Sequence, residues 1–272
     1  MKKLKTHSKI TLLCMLILPI LGFIGKRGVK QIDKDFVSIP GLTKNVLCHK
    51  YELTNSNYKQ FLDYLSTNDT ILYEQCMYDS LNWSRFYPYA YMGALSRDYH
   101  SHAAYEDYPI VNIQYSAALE YCKWLTKEYN ATEKRTYTKV EFRLPTEEEW
   151  IVATKCLPGG KLPWYGDKGY TSDLKYMANI KFAVVEAGGK TGPEYLADNA
   201  IYMTRIGEYP KNPNGLFDMI GNVAEMVSEE GKAKGGGWNS FISECYADQS
   251  QKYEGWGHPE VGFRLFMEII EP

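Results

Sequence analysis

The stretch FRLPTEEEW at residues 142–150 contains the strongest local structural signal in the chain. Thr146 and Glu149 have the spacing of a capping box, in which each side chain accepts a hydrogen bond from the other residue's backbone N–H. Pro145 stands directly before this pair. The stretch therefore predicts a short helix that begins just after Thr146.

Two longer helices are predicted on the N-terminal side of this stretch, with Asn55 capping the first and Ser116 the second. Each has apolar residues at helical spacing on one face. These are Tyr58, Phe61, Leu62 and Leu65 in the first helix, and Ala118, Tyr121, Cys122 and Leu125 in the second. Beyond Lys155 only brief strands are predicted, around residues 234–238 and 262–267. This pattern predicts an α+β fold with little regular secondary structure.

The composition is that of an ordinary globular protein. The 272 residues are 44% hydrophobic and 24% charged, and the formal net charge is −2. Because no long run of one sign occurs, neither nucleic acid nor an anionic membrane surface is a predicted partner. Since no linker or repeat interrupts the sequence, one domain is predicted over residues 28–272.

Residues 1–27 differ from the rest of the chain. Four lysines precede an apolar run over residues 10–24, and Lys26 and Arg27 follow it. A basic stretch before a short apolar segment is typical of a secretory signal. We therefore predict a signal peptide or N-terminal membrane anchor at residues 1–27, membrane contact through this segment only, and export. Cys14 lies within the apolar run after Leu13, which disfavours lipid attachment there.

The cysteines do not form a recognisable metal motif. The six cysteines are Cys14, Cys48, Cys76, Cys122, Cys156 and Cys245. The absence of a CxxC pair disfavours a zinc ribbon and a thioredoxin-like site. Five remain besides Cys14, so at least one thiol is free or paired between chains if the others form disulfides.

Seven short motifs follow one another along the chain. They are YELTN (51–55), YPIVNI (108–113), FRLPTEEEW (142–150), ANI (178–180), NGLFDMIGNVAE (214–225), KGGGW (234–238) and GFRL (262–265). This series resembles the formylglycine-generating enzyme, or sulfatase-modifying factor, family. The resemblance extends from about Phe36 to the C-terminus. It implies that family's variant of the C-type lectin fold.

A narrower resemblance lies between the first two predicted helices. DSLNW (79–83), YAY (89–91) and YHSHAAYEDYP (99–109) look like the gliding-motility and type IX secretion branch of the family. That branch comprises outer-membrane-associated periplasmic lipoproteins that build a ring with a partner protein. It implies a periplasmic or outer-membrane-associated location in a Gram-negative bacterium. It also implies a protein partner, which we expect to contact Trp83, Tyr89 and Tyr91 on an exposed insertion over residues 73–108. This chain departs from the branch because it is short and lacks an obvious lipobox.

The resemblance also implies two structural calcium sites. The first consists of the side chains of Asp218 and Glu225 with the carbonyls of Gly221 and Val223. The second consists of the side chains of Asn179 and Asp198 with the carbonyls of Ile180 and Ala200. A loop that mixes carboxylates with backbone carbonyls suits calcium, which takes six to eight oxygens. The alternative is that these acids only cap turns.

The family's oxidases use two cysteines after the Gly-Gly motif to bind copper(I) and the substrate cysteine. The matching positions here are Ser240 and Cys245. Soft thiolates suit copper(I), and a serine hydroxyl cannot replace one. We therefore expect a non-catalytic, calcium-stabilised structural or interaction protein of the cell envelope and no copper. The alternatives are a diverged oxidase that uses Cys245 and a glycan-binding module, the latter by analogy of fold alone.

His100 and His102 are two residues apart and would share a face of an extended segment. A separate branch of the family binds iron through an HxxxHxE motif in a helical domain, and that motif is absent from the sequence. We therefore predict hydrogen-bonded or surface histidines rather than a metal pair.

Overall fold

The computed structural model describes residues 32, 34–88, 92–172, 175–181 and 200–272, so the predicted signal segment lies outside it. Its helices are α1 (Asn55–Asn68), α2 (Thr70–Cys76), α3 (Asn82–Phe86), α4 (Met92–Asp98), α5 (Tyr115–Ala131) and α6 (Glu147–Thr154). Its strands are β1 (Phe36–Ser38), β2 (Val46–His49), β3 (Lys139–Arg143), β4 (Ala224–Met226), β5 (Lys232–Lys234), β6 (Gln251–Lys252), β7 (Val261–Gly262) and β8 (Phe266–Glu271).

The first sheet joins the two ends of the described chain. Its order is β1-β2-β8-β3, and all its pairs are antiparallel. Met267 of β8 lies between Leu47 of β2 and Phe142 of β3. Helix α5 packs on this sheet, where Tyr129 contacts Phe142 of β3, and α1 packs on α5 through Phe61 and Tyr121. The apolar spacing predicted from the sequence thus corresponds to the packed faces of both helices.

The second sheet carries the glycine-rich motifs. Its order is β6-β5-β4-β7, and β4 pairs with β7 in parallel through Ala224 and Val261. The strand predicted at residues 234–238 is wrong, because β5 ends at Lys234. Gly235 and Gly236 have φ values of +89° and +66°, and this left-handed backbone terminates the strand. The strand predicted at residues 262–267 is divided between β7 and β8.

The helix starts confirm one prediction and correct two. In α6, Glu149 N–H donates to Thr146 Oγ1 at 3.1 Å and Thr146 N–H donates to Glu149 Oε2 at 2.9 Å, which confirms the capping box. In α1 the cap is Thr54, whose Oγ1 accepts from Asn57 N–H, so the cap predicted at Asn55 is one residue late. Helix α5 begins after Gln114, before the predicted cap at Ser116.

The fold class follows from these elements. Helices pack on one side of an antiparallel sheet, and a second small sheet lies within a long, irregular C-terminal half. This arrangement confirms the predicted α+β class. Within the described residues, every helix is too short or too polar to cross a bilayer.

Candidate functional site

Asn222 lies at the centre of a buried polar network. Its Nδ2 donates to Glu52 Oε2 at 2.6 Å, and Val223 N–H donates to Glu52 Oε1 at 3.1 Å. Asn222 Oδ1 accepts a hydrogen bond from Thr204 N–H at 2.8 Å. Burial, together with the nearby Asp218 and Glu225 carboxylates, raises the pKa of Glu52 well above its usual value. Glu52 therefore ties a motif near residue 50 to the glycine turn at residue 221.

Glu225 forms a fully buried ion pair with Arg264. The guanidinium donates to both carboxylate oxygens, at distances of 2.6–3.0 Å, and Trp150 Nε1 donates to Oε2 at 2.8 Å. Arg264 also donates to the carbonyls of His49 and Phe217. Such a pair is stable only when its remaining hydrogen-bonding groups are satisfied, and here they are. We call Glu52, Trp150, Asn222, Glu225 and Arg264 the ion-pair frame.

Asp218 lies beside this frame with one carboxylate oxygen engaged. Its Oδ2 accepts from Gly207 N–H at 2.6 Å. Its Oδ1 is buried and has no hydrogen-bond partner among the described residues. Burial raises the pKa of Asp218 to about 7.

The first predicted calcium set can be compared with this geometry. Calcium requires six to eight oxygens. Asp218 has one oxygen without a partner, but both oxygens of Glu225 are bound by Arg264 and Trp150. A calcium ion would have to displace the guanidinium from Glu225. As arranged here, Asp218, Gly221, Val223 and Glu225 do not fit calcium, and calcium binding stays a prediction.

The second predicted calcium set is only partly described. Asn179 is buried, and its Nδ2 donates to the Tyr202 carbonyl at 2.7 Å and to Asn222 Oδ1 at 3.3 Å. Ile180 and Ala200 are described, whereas Asp198 lies outside the described residues. Within the described residues, no group of three or more His, Cys, Asp or Glu side chains could hold a metal ion.

Ser240 and Cys245 lie together on one side of Gly236. A Cβ at position 236 would overlap Cys245 Sγ and would lie 3.0 Å from Ser240 Cβ. Ser240 Oγ accepts from Gly237 N–H at 3.1 Å, and the Cys245 thiol donates to the Phe241 carbonyl at 3.4 Å. Cys245 is fully buried, and burial raises the pKa of its thiol. We call residues 240–245 the serine–cysteine segment.

Aromatic rings and a buried carboxyl group contact Trp238 and Asn239, the two residues that precede this segment. The centroid of the Trp238 ring lies 5.1 Å from that of Tyr87 and 5.5 Å from that of Tyr202. Asn239 Nδ2 donates to Glu260 Oε1 at 3.2 Å, and burial raises the pKa of Glu260 to about 7. No sequence pattern indicated Glu260, because it precedes the GFRL motif and only the fold brings it to Asn239.

The cysteines outside the first 31 residues are all free. Cys48, Cys76, Cys122 and Cys245 are buried, and Cys156 is partly exposed. The odd number of cysteines besides Cys14 is therefore explained by free thiols, because the described residues contain no disulfide. The fold depends on packing and polar networks in place of covalent cross-links.

The insertion differs from its predicted exposed surface. Trp83 is fully buried, and its ring contacts those of Tyr87 and Tyr99. The expectation that Trp83 is exposed is wrong, because Trp83 lies in a small hydrophobic cluster that also contains Met203 and Val223 of the C-terminal half. The other two expected contact residues, Tyr89 and Tyr91, lie outside the described residues.

The two histidines of the insertion are hydrogen-bonded, as predicted. His100 Nε2 lies 3.0 Å from the Val111 carbonyl, and His102 Nδ1 accepts from Ala104 N–H at 3.1 Å. His100 also stacks on Tyr78 at 3.9 Å. Burial lowers the pKa of His100 to about 4, so its ring is neutral at neutral pH.

Comparison with known proteins identifies similar sequences over most of the chain. A family profile described as "Sulfatase-modifying factor enzyme 1-like domain" (FGE-sulfatase) matches residues 43–269. "Inactive C-alpha-formylglycine-generating enzyme 2" of Bos taurus is 28% identical over 47% of this chain and 35% of its own length. "Formylglycine-generating enzyme" of Mus musculus is 27% identical over 58% of this chain and 44% of its own. The chain thus spans less than half the length of these curated relatives.

A solved structure shows the same fold. The structure of PvdO from Pseudomonas aeruginosa has a TM-score of 0.50 with this chain. The structural match covers 82% of this chain and 80% of PvdO, at 14% sequence identity. At that identity the likeness concerns the fold alone. It agrees with the mixed helix and sheet architecture described above.

Proposed function

The chain belongs to the sulfatase-modifying factor enzyme 1-like family, and from this premise we propose that it is a non-catalytic member that serves as a structural or interaction protein. The observation that carries the proposal is the state of the serine–cysteine segment. Ser240 replaces one thiol, and the remaining thiol of Cys245 is fully buried. The segment therefore supports no chemistry that needs two thiolates.

The physical basis is the chemistry of sulfur. A thiolate, not a thiol, is the nucleophile and the metal ligand. Burial raises the pKa of Cys245, which keeps the sulfur protonated and bound to the Phe241 carbonyl. The hydroxyl of Ser240 is a hard, neutral ligand, whereas copper(I) selects soft ones.

One relative's name adds independent support. The Bos taurus protein similar to this chain is named as an inactive formylglycine-generating enzyme. Loss of activity within this family is therefore compatible with a retained domain. The ion-pair frame supplies a physical reason, since its charges stabilise the domain and do not involve Ser240 or Cys245.

We further propose that the protein is exported to the envelope of a Gram-negative bacterium, in the periplasm or at the outer membrane. The basic and apolar pattern of residues 1–27 supports export. The motifs at residues 79–83 and 99–109 support a role near gliding or type IX secretion machinery. The proposed partner is a protein.

The catalytic part of the proposal is tested by a gain-of-thiol comparison. The native chain and Ser240→Cys are loaded anaerobically with copper(I), and then exposed to oxygen with a cysteine-containing peptide. We expect the native chain to bind no copper tightly and to leave the peptide thiol intact, as counted by mass spectrometry. Ser240→Cys is expected to bind more copper than the native chain. Peptide oxidation by the native chain would refute the proposal.

The interaction part is tested in native cells. The tagged full chain is recovered from gently solubilised envelopes, and the proteins that co-purify are quantified. We expect envelope proteins in a fixed ratio to the chain. Recovery of the chain alone, or only with exported cysteine-containing substrates, would contradict the interaction role.

Calcium binding is tested separately by the melting temperature in millimolar calcium and in chelator. Extracellular modules bind calcium with dissociation constants of roughly 10⁻⁴–10⁻³ M. Several millimolar calcium is therefore enough to fill such sites. A rise in melting temperature with calcium would support the predicted sites. No change would agree with the ion pair between Glu225 and Arg264 observed here.

A further inference from the structure

An open cavity of ≈ 730 Å³ lies where the end of the insertion meets the segment before the glycine turn. Its volume is in the range of ligand sites, which is about 300–1,000 Å³. Its walls combine phenol rings with charged side chains. The lining residues are Tyr108, Lys175, Tyr176, Thr204, Arg205, Glu208, Tyr209 and Pro210. We call it the Arg205 cavity.

Buried groups hold the backbone around Arg205 in place. Thr204 N–H donates to Asn222 Oδ1 at 2.8 Å, and Gly207 N–H donates to Asp218 Oδ2 at 2.6 Å. Between them, Ile206 N–H donates to the Asp107 carbonyl at 3.0 Å. Arg205 therefore projects from a segment that is fixed on both sides. A fixed backbone lowers the entropy lost when a ligand binds.

Two cations of the cavity, Lys175 and Arg205, have no carboxylate partner within the part of the chain that the structure describes. The nitrogens of Lys175 and Arg205 lie more than 4.0 Å from every described carboxylate oxygen, whereas the ion pairs of this protein measure 4.0 Å or less. Glu208 is the one acidic residue in the lining. The side chains of the lining thus carry two positive charges and one negative charge. This excess attracts a weakly anionic group, and Glu208 disfavours a dense polyanion such as a nucleic acid or a polyphosphate.

The phenol rings favour a peptide as the source of that anionic group. Burial raises the pKa of Tyr108, so its hydroxyl stays protonated and can donate a hydrogen bond. Tyrosine and arginine are the residue types that contribute most to protein interfaces. An arginine guanidinium binds a carboxylate through two parallel hydrogen bonds. A short segment with acidic side chains and an apolar or aromatic residue would use all of these groups.

We propose that the Arg205 cavity binds an acidic peptide segment of a protein partner, with its carboxylates on Arg205 and Lys175 and its apolar side chain among the tyrosines. The site deepens the proposed interaction role and rests on it for the identity of the ligand as a protein. It depends neither on Trp83 nor on the serine–cysteine segment.

The test measures fluorescence anisotropy of labelled, amidated pentapeptides mixed with the full chain. The acidic probe is Gly-Asp-Tyr-Glu-Gly, and the matched neutral probe is Gly-Asn-Tyr-Gln-Gly. We expect saturable binding of the acidic probe only, weakened about tenfold by Lys175→Ala/Arg205→Ala, a change of about 1.4 kcal/mol. The matched control is Lys44→Ala/Lys252→Ala, which removes two exposed positive charges away from the cavity and should change affinity less than twofold.

Three outcomes would overturn the inference: equal binding of both probes, no saturable binding of the acidic probe, or equal weakening by both double variants. Inorganic phosphate is added as a competitor. Displacement of the acidic probe by phosphate at equal or lower concentration would show a general anion site instead. Circular dichroism spectra that match the native chain confirm that the variants fold. Failure here leaves the copper and envelope results untouched, so the two proposals fail separately.

Discussion

The ion-pair frame and the serine–cysteine segment lie against two consecutive glycines, yet their polar groups have different roles. Trp150 of the frame contacts Gly235, whereas Ser240 and Cys245 contact Gly236. In the frame, a buried cation and a buried anion satisfy each other. In the segment, Ser240 Oγ accepts from Gly237 N–H and the Cys245 thiol donates to the Phe241 carbonyl.

This difference separates stability from chemistry. Removing one member of a buried ion pair leaves an uncompensated charge, so the frame cannot change one residue at a time. Exchanging a thiol for a hydroxyl in the segment leaves no buried charge. The identity of residue 240 therefore constrains the fold less than the charges of Glu225 and Arg264 do.

The largest effect is expected from Arg264→Leu. Glu225 would remain buried without its cation, at a cost of about 3–5 kcal/mol in the free energy of unfolding. Chemical denaturation measures this change. Arg85→Leu, which removes an exposed partner of Asp79, is the control and should cost at most about 1 kcal/mol. Glu225→Gln/Arg264→Leu should recover part of the loss, and failure to do so would mean that the frame is not electrostatic.

A smaller but still large effect is expected from Gly236→Ala. The new Cβ would overlap Cys245 Sγ in a backbone with φ of +66°. Overpacking and the left-handed backbone together should cost about 2–4 kcal/mol. Gly215→Ala, with φ of +84° and nothing within 4 Å, isolates the backbone contribution. An equal loss of unfolding free energy in the two variants would show that Cys245 moves away from the new Cβ at little cost.

Glu260 predicts a pH dependence beside the segment. Its pKa is about 7 in the fold against an ordinary 4.5, so the fold favours the protonated carboxyl. This stabilisation is complete below pH 4.5 and is lost as the pH rises to about 7, a change of about 2–3 kcal/mol. We expect the unfolding free energy of the native chain, minus that of Glu260→Gln, to fall over this window. If this difference in unfolding free energy did not change with pH, Glu260 would be exposed to solvent in the folded protein.

The smallest effect concerns thiol labelling of the native chain, with no change in stability. Cys156 is partly exposed, whereas Cys245 is fully buried and protonated. Iodoacetamide should therefore modify Cys156 at least about tenfold faster than Cys245, because the thiolate is the reactive form. Mass spectrometry of tryptic peptides measures both rates. Comparable rates would mean that the segment opens and that its thiol is accessible.

Local patterns predicted the parts of the fold that local interactions determine. The capping box of α6 joins residues three apart, and the apolar faces of α1 and α5 repeat at helical spacing. The motif series predicted the family, which the match over residues 43–269 confirms. Boundaries were less accurate because a cap or a strand end depends on one or two backbone angles, as at Thr54 and Gly235.

The candidate site was only partly predictable, because distant segments build it. Glu52 meets Asn222 across 170 positions of the chain, and Arg264 meets Glu225 across 39. Neither pairing has a spacing that a sequence pattern can reveal. Trp83 shows the same limit, since the sequence of an aromatic-rich insertion is the same whether its rings face solvent or pack against the rest of the domain. The Arg205 cavity likewise combines residues that no motif contains.

The position of β8 has a consequence for how the domain is made. Residues 266–271 pair with β2 on one side and with β3 on the other, so the first sheet cannot close until these residues have left the ribosome. Before that point, β2 can pair only with β1, and β3 has no partner strand in this sheet. Pairings of such wide sequence separation form slowly. The first sheet can therefore form only once residues 266–271 are in place between β2 and β3.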